Sequence, residues 1–184
     1  MTDKPYRFGL LVGRFQTPHL GHQEMIGRAL SICARVGLLI GSAQEAGTSK
    51  NPFSYETREA LLRLLFGASI DIAPLPDIGV GNNALWGAYV LKSAEEAFGE
   101  TPDLMISGKE GRRLSWFDFE AARGIAELYI PKTVDISASR MRDFLIAGDR
   151  AQWERYMDGR LWGQYDSLRA LAFRSRDNGR TASM

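Results

Sequence analysis

Cysteine and histidine are scarce in this chain, and the common nucleotide-binding signatures are missing. One cysteine, Cys33, among 184 residues leaves no intramolecular disulfide framework and no cysteine-rich zinc site, and it fits a reducing cytoplasm. Apolar runs such as Gly37–Ile40, closed by Gly41-Ser42, fall far below the roughly 20 residues of a membrane span. The N-terminal Met1-Thr2-Asp3-Lys4-Pro5 opens no signal-peptide pattern. Formal net charge is only +1, so no global field demands a nucleic-acid partner. Neither G-x-x-x-x-G-K-[ST] nor G-x-G-x-x-G occurs, and Gly108-Lys109-Glu110-Gly111 fits neither spacing. What remains is an intracellular globular protein of about one domain, large enough to bury close to 70% of its unfolded surface.

What is present alternates between two periods. Phe8–Gly13 and Leu38–Ala43 are short apolar runs suited to buried strands, and Met25, Ile26, Ala29, Leu30 and Cys33 lie between them at helical spacing. Strand, helix and strand within about 35 residues make one parallel crossover. The alternation continues: a helix over 54–66 capped by Ser54, a strand over 69–73, a helix over 83–98, then strands over 103–107 and 126–130. Helical patterns at 139–147, 151–157 and 161–173 close the chain.

The pattern predicts an α/β fold: a Rossmann-like open parallel sheet of about five strands, helices on both faces and a C-terminal helical segment. Residues 1–150 form the main domain, 151–173 pack onto it, and the polar stretch 174–184 reads as a flexible tail. Arg169, Arg174, Arg176 and Arg180 of the basic C-terminal stretch read as a solvated face rather than a nucleic-acid contact. Ligands of such sheets bind beyond the carboxyl ends of the strands, where strand order reverses. The informative loops are therefore 13–22, 42–53, 74–83, 107–118 and 131–139.

The chain's two histidines, His19 and His22, fall within one of these loops, Gly13-Arg14-Phe15-Gln16-Thr17-Pro18-His19-Leu20-Gly21-His22. Chance would place two residues that close about 3% of the time. At a strand-to-helix handover, amide groups favour anions, two imidazoles and Arg14 add donors, and Gly21 lets the backbone approach closely. A metal pair would lack a third ligand, and a purely structural pair in a turn is the other alternative. A second anion-friendly element is Asp135-Ile136-Ser137-Ala138-Ser139-Arg140-Met141-Arg142, where Ser137 or Ser139 caps a helix.

H-x-G-H followed about 115 residues later by I-S-x-[TS]-x-x-R resembles the nucleotidyltransferase superfamily. Class I aminoacyl-tRNA synthetases share the histidine motif, but this chain is too short for one and has no K-M-S-K-S loop. Gly41-Ser42-Ala43-Gln44, Asn51-Pro52-Phe53-Ser54 with Arg58, Asp77-Ile78, Asn83-Ala84-Leu85-Trp86 and Ser107-Gly108 follow in order. The set resembles the nicotinamide-nucleotide (NMN) adenylyltransferases of archaeal type and the related domain of Nudix-fused bacterial proteins. The chain departs from the family's G-R-F-Q-P-F-H at Thr17-Pro18, has Ser139 where threonine is commoner, and carries no Nudix box.

The resemblance implies transfer of AMP from ATP to the 5′-phosphate of NMN, with Mg²⁺ carried by ATP. His19, His22 and Arg142 would be catalytic. Gly13, Arg14, Phe15, Gly21, Ser107, Gly108, Ile136, Ser137 and Ser139 would bind ATP, and Ser42, Gln44, Arg58, Asp77, Asn83 and Trp86 would bind NMN. Trp86 offers a face for a pyridinium ring and Asn83 an amide for a carboxamide; the alternatives are a core tryptophan and, for Arg58, a helix-surface charge. Trp116-Phe117 stays open between pocket lid and packing. A phosphate monoester is largely dianionic at pH 7, its second pKa being about 6, so the reaction needs no general base. The resemblance also implies a homo-oligomer and no membrane partner. Other phosphate acceptors, nicotinic acid mononucleotide or phosphopantetheine, and a non-catalytic nucleotide sensor are the remaining alternatives.

Overall fold

In the computed structural model, which describes residues 4–79 and 81–181 but not the side chains of 113 and 177–181, the first apolar run becomes strand β1 (Tyr6–Gly13). Helix α1 (Leu20–Ile32) returns the chain to β2 (Cys33–Gly41), and α2 (Tyr55–Phe66) leads to β3 (Asp71–Leu75). Helix α3 (Asn83–Phe98), β4 (Leu104–Ser107), α4 (Arg112–Trp116) and β5 (Ala126–Tyr129) follow, then α5 (Ala138–Ala147), α6 (Arg150–Arg155) and α7 (Tyr165–Thr181). The five strands are parallel in the order β3-β2-β1-β4-β5. Strand order therefore reverses between β1 and β4, as the alternating pattern requires of a site-bearing sheet.

Residues alternate across the sheet. Leu10, Leu39 and Met105 face one layer with Val90, Leu91 and Ala94 of α3, while Leu11, Leu38, Ile40 and Ile106 face Ile26 and Ala29 of α1 and Leu62 of α2. A third cluster joins Leu61 and Leu65 of α2 and Met141 and Leu145 of α5 to Trp153, Leu161, Tyr165 and Leu168. The C-terminal helices thus share a core with the elements that carry the second serine–arginine motif.

Several boundaries differ from the sequence expectation. Cys33 opens β2 instead of closing α1: it pairs with Tyr6 in the ladder, and its thiol abuts Gly9, where a β-carbon would stand 2.5 Å from Sγ. The third strand starts two residues later than expected because Gly67–Ser69 forms a 3-10 turn, Gly67 taking a positive φ of 55°. The last predicted helix splits into a 3-10 turn over Gly159–Gln164 and α7. The break expected at Arg174 is absent: α7 runs on to Thr181, held by a buried stripe of Leu168, Ala172 and Ser175 at helical spacing. Residues 182–184 lie outside the described residues.

One close approach ties α3 to the region beyond β4. A β-carbon at Gly87 would stand 1.6 Å from the Trp116 carbonyl oxygen, an approach only glycine allows. Gly87→Ala is expected to lower unfolding free energy by about 3 kcal/mol or more and to displace Trp116, read by denaturant titration followed through tryptophan fluorescence.

Candidate active site

The first loop leaves β1 through Phe15, a non-glycine residue at φ 50°, and β2 leaves through Ser42, also at φ 50°. Such conformations cost energy and persist where surrounding contacts over-determine them. The contact here is Arg58, fully buried on α2. Its Nη1 donates to the carbonyls of Arg14 (2.9 Å) and Gly41 (2.7 Å), Nη2 to Ser42 (3.1 Å) and Nε to Ser54 (3.1 Å). Arg58 was expected to bind the acceptor phosphate. Its burial and its four carbonyl partners make it instead the post to which two turned-out loops are tied.

Gln16 adds a second tie. Its buried amide donates from Nε2 to the Phe53 carbonyl and accepts at Oε1 from the Phe53 N–H, both at 3.0 Å. Held this way, the loop delivers His19 to the N-cap of α1 in extended conformation. The His19 N–H donates to His22 Nδ1 at 3.3 Å, which leaves Nε2 of His22 as its donor atom. The two rings lie 3.8 Å apart between centroids, tilted by 32°. Gly21 completes the arrangement: a β-carbon there would press within 3.2 Å of the His19 ring.

Both imidazoles are neutral at pH 7. Burial, then the Lys132 ammonium, pushes His19 down to about 4; burial, then His19 itself, holds His22 well below its ordinary value. His19 Nδ1 is buried without a hydrogen-bond partner among the described residues, an arrangement that favours a ligand or water supplying the missing contact.

Ser137 caps α5, accepting from the Arg140 N–H at 3.2 Å. Arg142, one turn on, donates from Nη2 to Ser139 Oγ (3.2 Å) and from Nη1 to the Gln16 carbonyl (3.0 Å), so the serine–arginine helix is bonded to the histidine loop. Burial, then the Arg14 charge, lowers the Arg142 pKa, yet a guanidinium stays charged in proteins. Arg14 is exposed and reaches Asn51 Oδ1 at 3.3 Å.

Two cavities adjoin at the reversal between β1 and β4. One, of about 360 Å³, is lined by His19, Gly21, His22, Gly108, Ile136 and Ser137, together with Lys109 and Lys132. The other, of about 250 Å³, is lined by Gly13, Phe15, His22, Ser107, Arg112 and Trp116, and again by Gly108 and Lys109. His22 and Gly108 belong to both. The structure thus gathers most of the residues expected at ATP.

The acceptor set is not gathered. Ser42, Gln44, Asp77, Asn83 and Trp86 line neither cavity. Gln44 Oε1 accepts from the Asp77 N–H (2.9 Å) beyond β2 and β3. Asn83 is exposed as the first residue of α3, whose cap is Asn82. Trp86 meets Trp116 edge to face at 6.1 Å, and of these two tryptophans it is Trp116 that lines a cavity. Lys132 and Arg112 were not singled out from the sequence, and Lys109 only within Gly108-Lys109-Glu110-Gly111, a phosphate-friendly stretch whose spacing fits neither nucleotide-binding pattern. The signal for Lys132 and Arg112 was position alone, in the segments that follow β5 and β4.

A sequence model of the cytidylyltransferase-like family matches residues 10–110. A nicotinamide-nucleotide adenylyltransferase of Aeropyrum pernix is 36% identical over 153 residues, covering 79% of this chain and 82% of that one. The chain belongs to the nicotinamide-nucleotide adenylyltransferase family. A Thermococcus onnurineus member is 44% identical over 87 residues, covering 45% of this chain and 46% of its own. Among solved structures, a bifunctional NMN adenylyltransferase/ADP ribose pyrophosphatase from Francisella tularensis, complexed with AMP and a manganese ion, superposes with a TM-score of 0.73 at 20% identity. It covers 95% of this chain, which spans about half (52%) of that protein, and the likeness is one of fold.

In this adenylyltransferase-family chain, Arg58 is the buried residue on which the site's loops converge. Arg58→Met is expected to leave the Arg14, Gly41 and Ser42 carbonyls without their guanidinium donor and to lower stability by on the order of 3 kcal/mol. Arg58→Lys should recover only part, because an ammonium lacks the planar fork. Thermal and denaturant unfolding of the three proteins check this.

Proposed function

We propose that this protein transfers AMP from ATP to the 5′-phosphate of NMN, forming NAD and pyrophosphate. The observation that carries the reading is the close His19–His22 pair, at the N-terminus of α1, with His22 shared by two adjoining cavities. A bipartite site whose halves meet at phosphate donors suits the joining of two nucleotides. Membership of the family supports the same reading.

The triphosphate would lie over the start of α1, with neutral imidazole N–H groups and helix amides donating to its α- and β-phosphate oxygens. Gly21, Gly108 and Ile136 would line the ATP cleft, Gly13, Phe15 and Ser107 would lie where it joins the cavity under Trp116, and Arg14 would face the phosphates. Ser137, Ser139 and Arg142 would hold the β- and γ-phosphates. The acceptor would occupy the cavity under Trp116, its dianionic phosphate presented at His22. One acceptor oxygen bonds to the α-phosphorus as the bond to the bridging α,β-oxygen breaks, and that oxygen leaves with pyrophosphate. These side chains align two phosphates and stabilise charge on the transferring group without moving a proton.

Mg²⁺ would neutralise charge on the phosphate oxygens. Among the described residues no group of three or more His, Cys, Asp or Glu could hold a metal. The donors here are imidazoles, hydroxyls and guanidiniums, a set that suits an ion carried by the triphosphate and its waters.

A second acceptor, nicotinic acid mononucleotide, is favoured by one observation. Arg112 lines the acceptor cavity with its guanidinium 4.4 Å from the Trp116 ring centre, placed to meet a ring carboxylate. Incubation with Mg-ATP and each acceptor, with dinucleotide measured by mass spectrometry, separates the two. NAD from NMN is the expected product, and its absence overturns the main reading. His22→Ala and His19→Ala are each expected to reduce kcat by about 10²–10³ with the fold intact.

A further inference from the structure

Beyond α5 lies a third cleft, of about 540 Å³, that the histidine loop does not reach. Ser49, Arg142, Asp143 and Arg176 line it, with the apolar Ile146 and Ala147 at its far end. Arg142 belongs to the phosphate-facing motif, whereas Arg176 comes from α7, in the stretch that reads as a solvated tail. The register explains how it arrives. The Arg169 guanidinium lies over Gly148, 3.2 Å from where a β-carbon would stand. Seven residues further along α7, at about 1.5 Å each, Arg176 lies about 10 Å back along the antiparallel α5, level with Arg142. The helix is still anchored there, since Ser175 is only 2% exposed and donates to the Leu171 carbonyl.

Neither guanidinium forms an ion pair with Asp143 or any other carboxylate among the described residues. Two guanidiniums with no ion pair among the described residues therefore face one cleft, with the Ser49 hydroxyl and the single Asp143 carboxylate on its wall, and each costs less when an anion lies between them. We propose that Arg176 is a further substrate-binding residue, which closes with Arg142 on the γ-phosphate end of the triphosphate and on the departing pyrophosphate. This deepens the adenylyl-transfer reading and rests on it. The C-terminal helix would then complete the phosphate site, and Arg176 would hold the leaving group after Arg142 has aligned it.

Inorganic pyrophosphate is the probe, titrated calorimetrically into the full chain. Arg176→Ala is expected to weaken pyrophosphate binding about tenfold and to raise KM for ATP in step, with Arg176→Lys intermediate. Arg174→Ala, exposed on the same helix outside the cleft, is expected to bind like wild type. Equal binding by Arg176→Ala and wild type, no binding by wild type, or equal weakening in both alanine variants overturns the proposal. Failure of the adenylyl-transfer reading looks different: Arg176-dependent pyrophosphate binding without dinucleotide from any acceptor.

Discussion

A single buried guanidinium holds the working end of this molecule together. Arg58, on α2, sits at the carboxyl end of a parallel sheet whose neighbouring strands β1 and β2 must both turn outward to leave a floor for ligands. Each does so through a residue in the left-handed region, Phe15 and Ser42. The carbonyls of Arg14, Gly41 and Ser42 around those turns accept from Arg58, which also donates to the Ser54 carbonyl at the cap of α2. A buried charge without a carboxylate is ordinarily expensive. Here its hydrogen bonds go to backbone oxygens whose own burial would otherwise be just as costly.

On that base the site separates two kinds of phosphate donor. The imidazoles are enclosed and neutral, so they offer hydrogen bonds without like-charge repulsion between rings 3.8 Å apart. The arginines stand farther out, on α5, α7 and the loop after β1, and supply the net positive field. On the proposed reading, a triphosphate entering this cleft would meet the imidazoles, with Lys109 and Lys132 beside them, at its α-phosphate, and the arginines where its leaving group departs. That division matches where negative charge builds up during transfer.

The sheet, its helices and the histidine loop were legible because each rests on local pattern: apolar period, glycine, cap and motif. Ser137 and Arg142 were legible for the same reason. Arg58 was not, since a helix arginine in sequence gives no sign of being fully buried among carbonyls. Trp86 and Trp116 changed places because which of two aromatics lines a cavity depends on Gly87, whose missing side chain lets the Trp116 backbone approach. The basic C-terminal stretch looked loose because its apolar stripe is sparse. Its anchoring through Leu168, Ala172 and Ser175 depends on a partner surface made by α5, and that surface is a tertiary fact.

The central claim is that neutral imidazoles capture the reacting phosphates. The chain has only two histidines, so nitrogen NMR of imidazole-labelled protein reads both without background. The account predicts that in the free protein both rings are neutral at pH 7, His19 titrating at about 4 and His22 below its ordinary value. Addition of a non-hydrolysable α,β-methylene ATP with Mg²⁺ should shift both rings and raise their pKa values toward neutrality, since phosphate charge favours the imidazolium. Saturating nucleotide that leaves both ring spectra and their titration unchanged would contradict it.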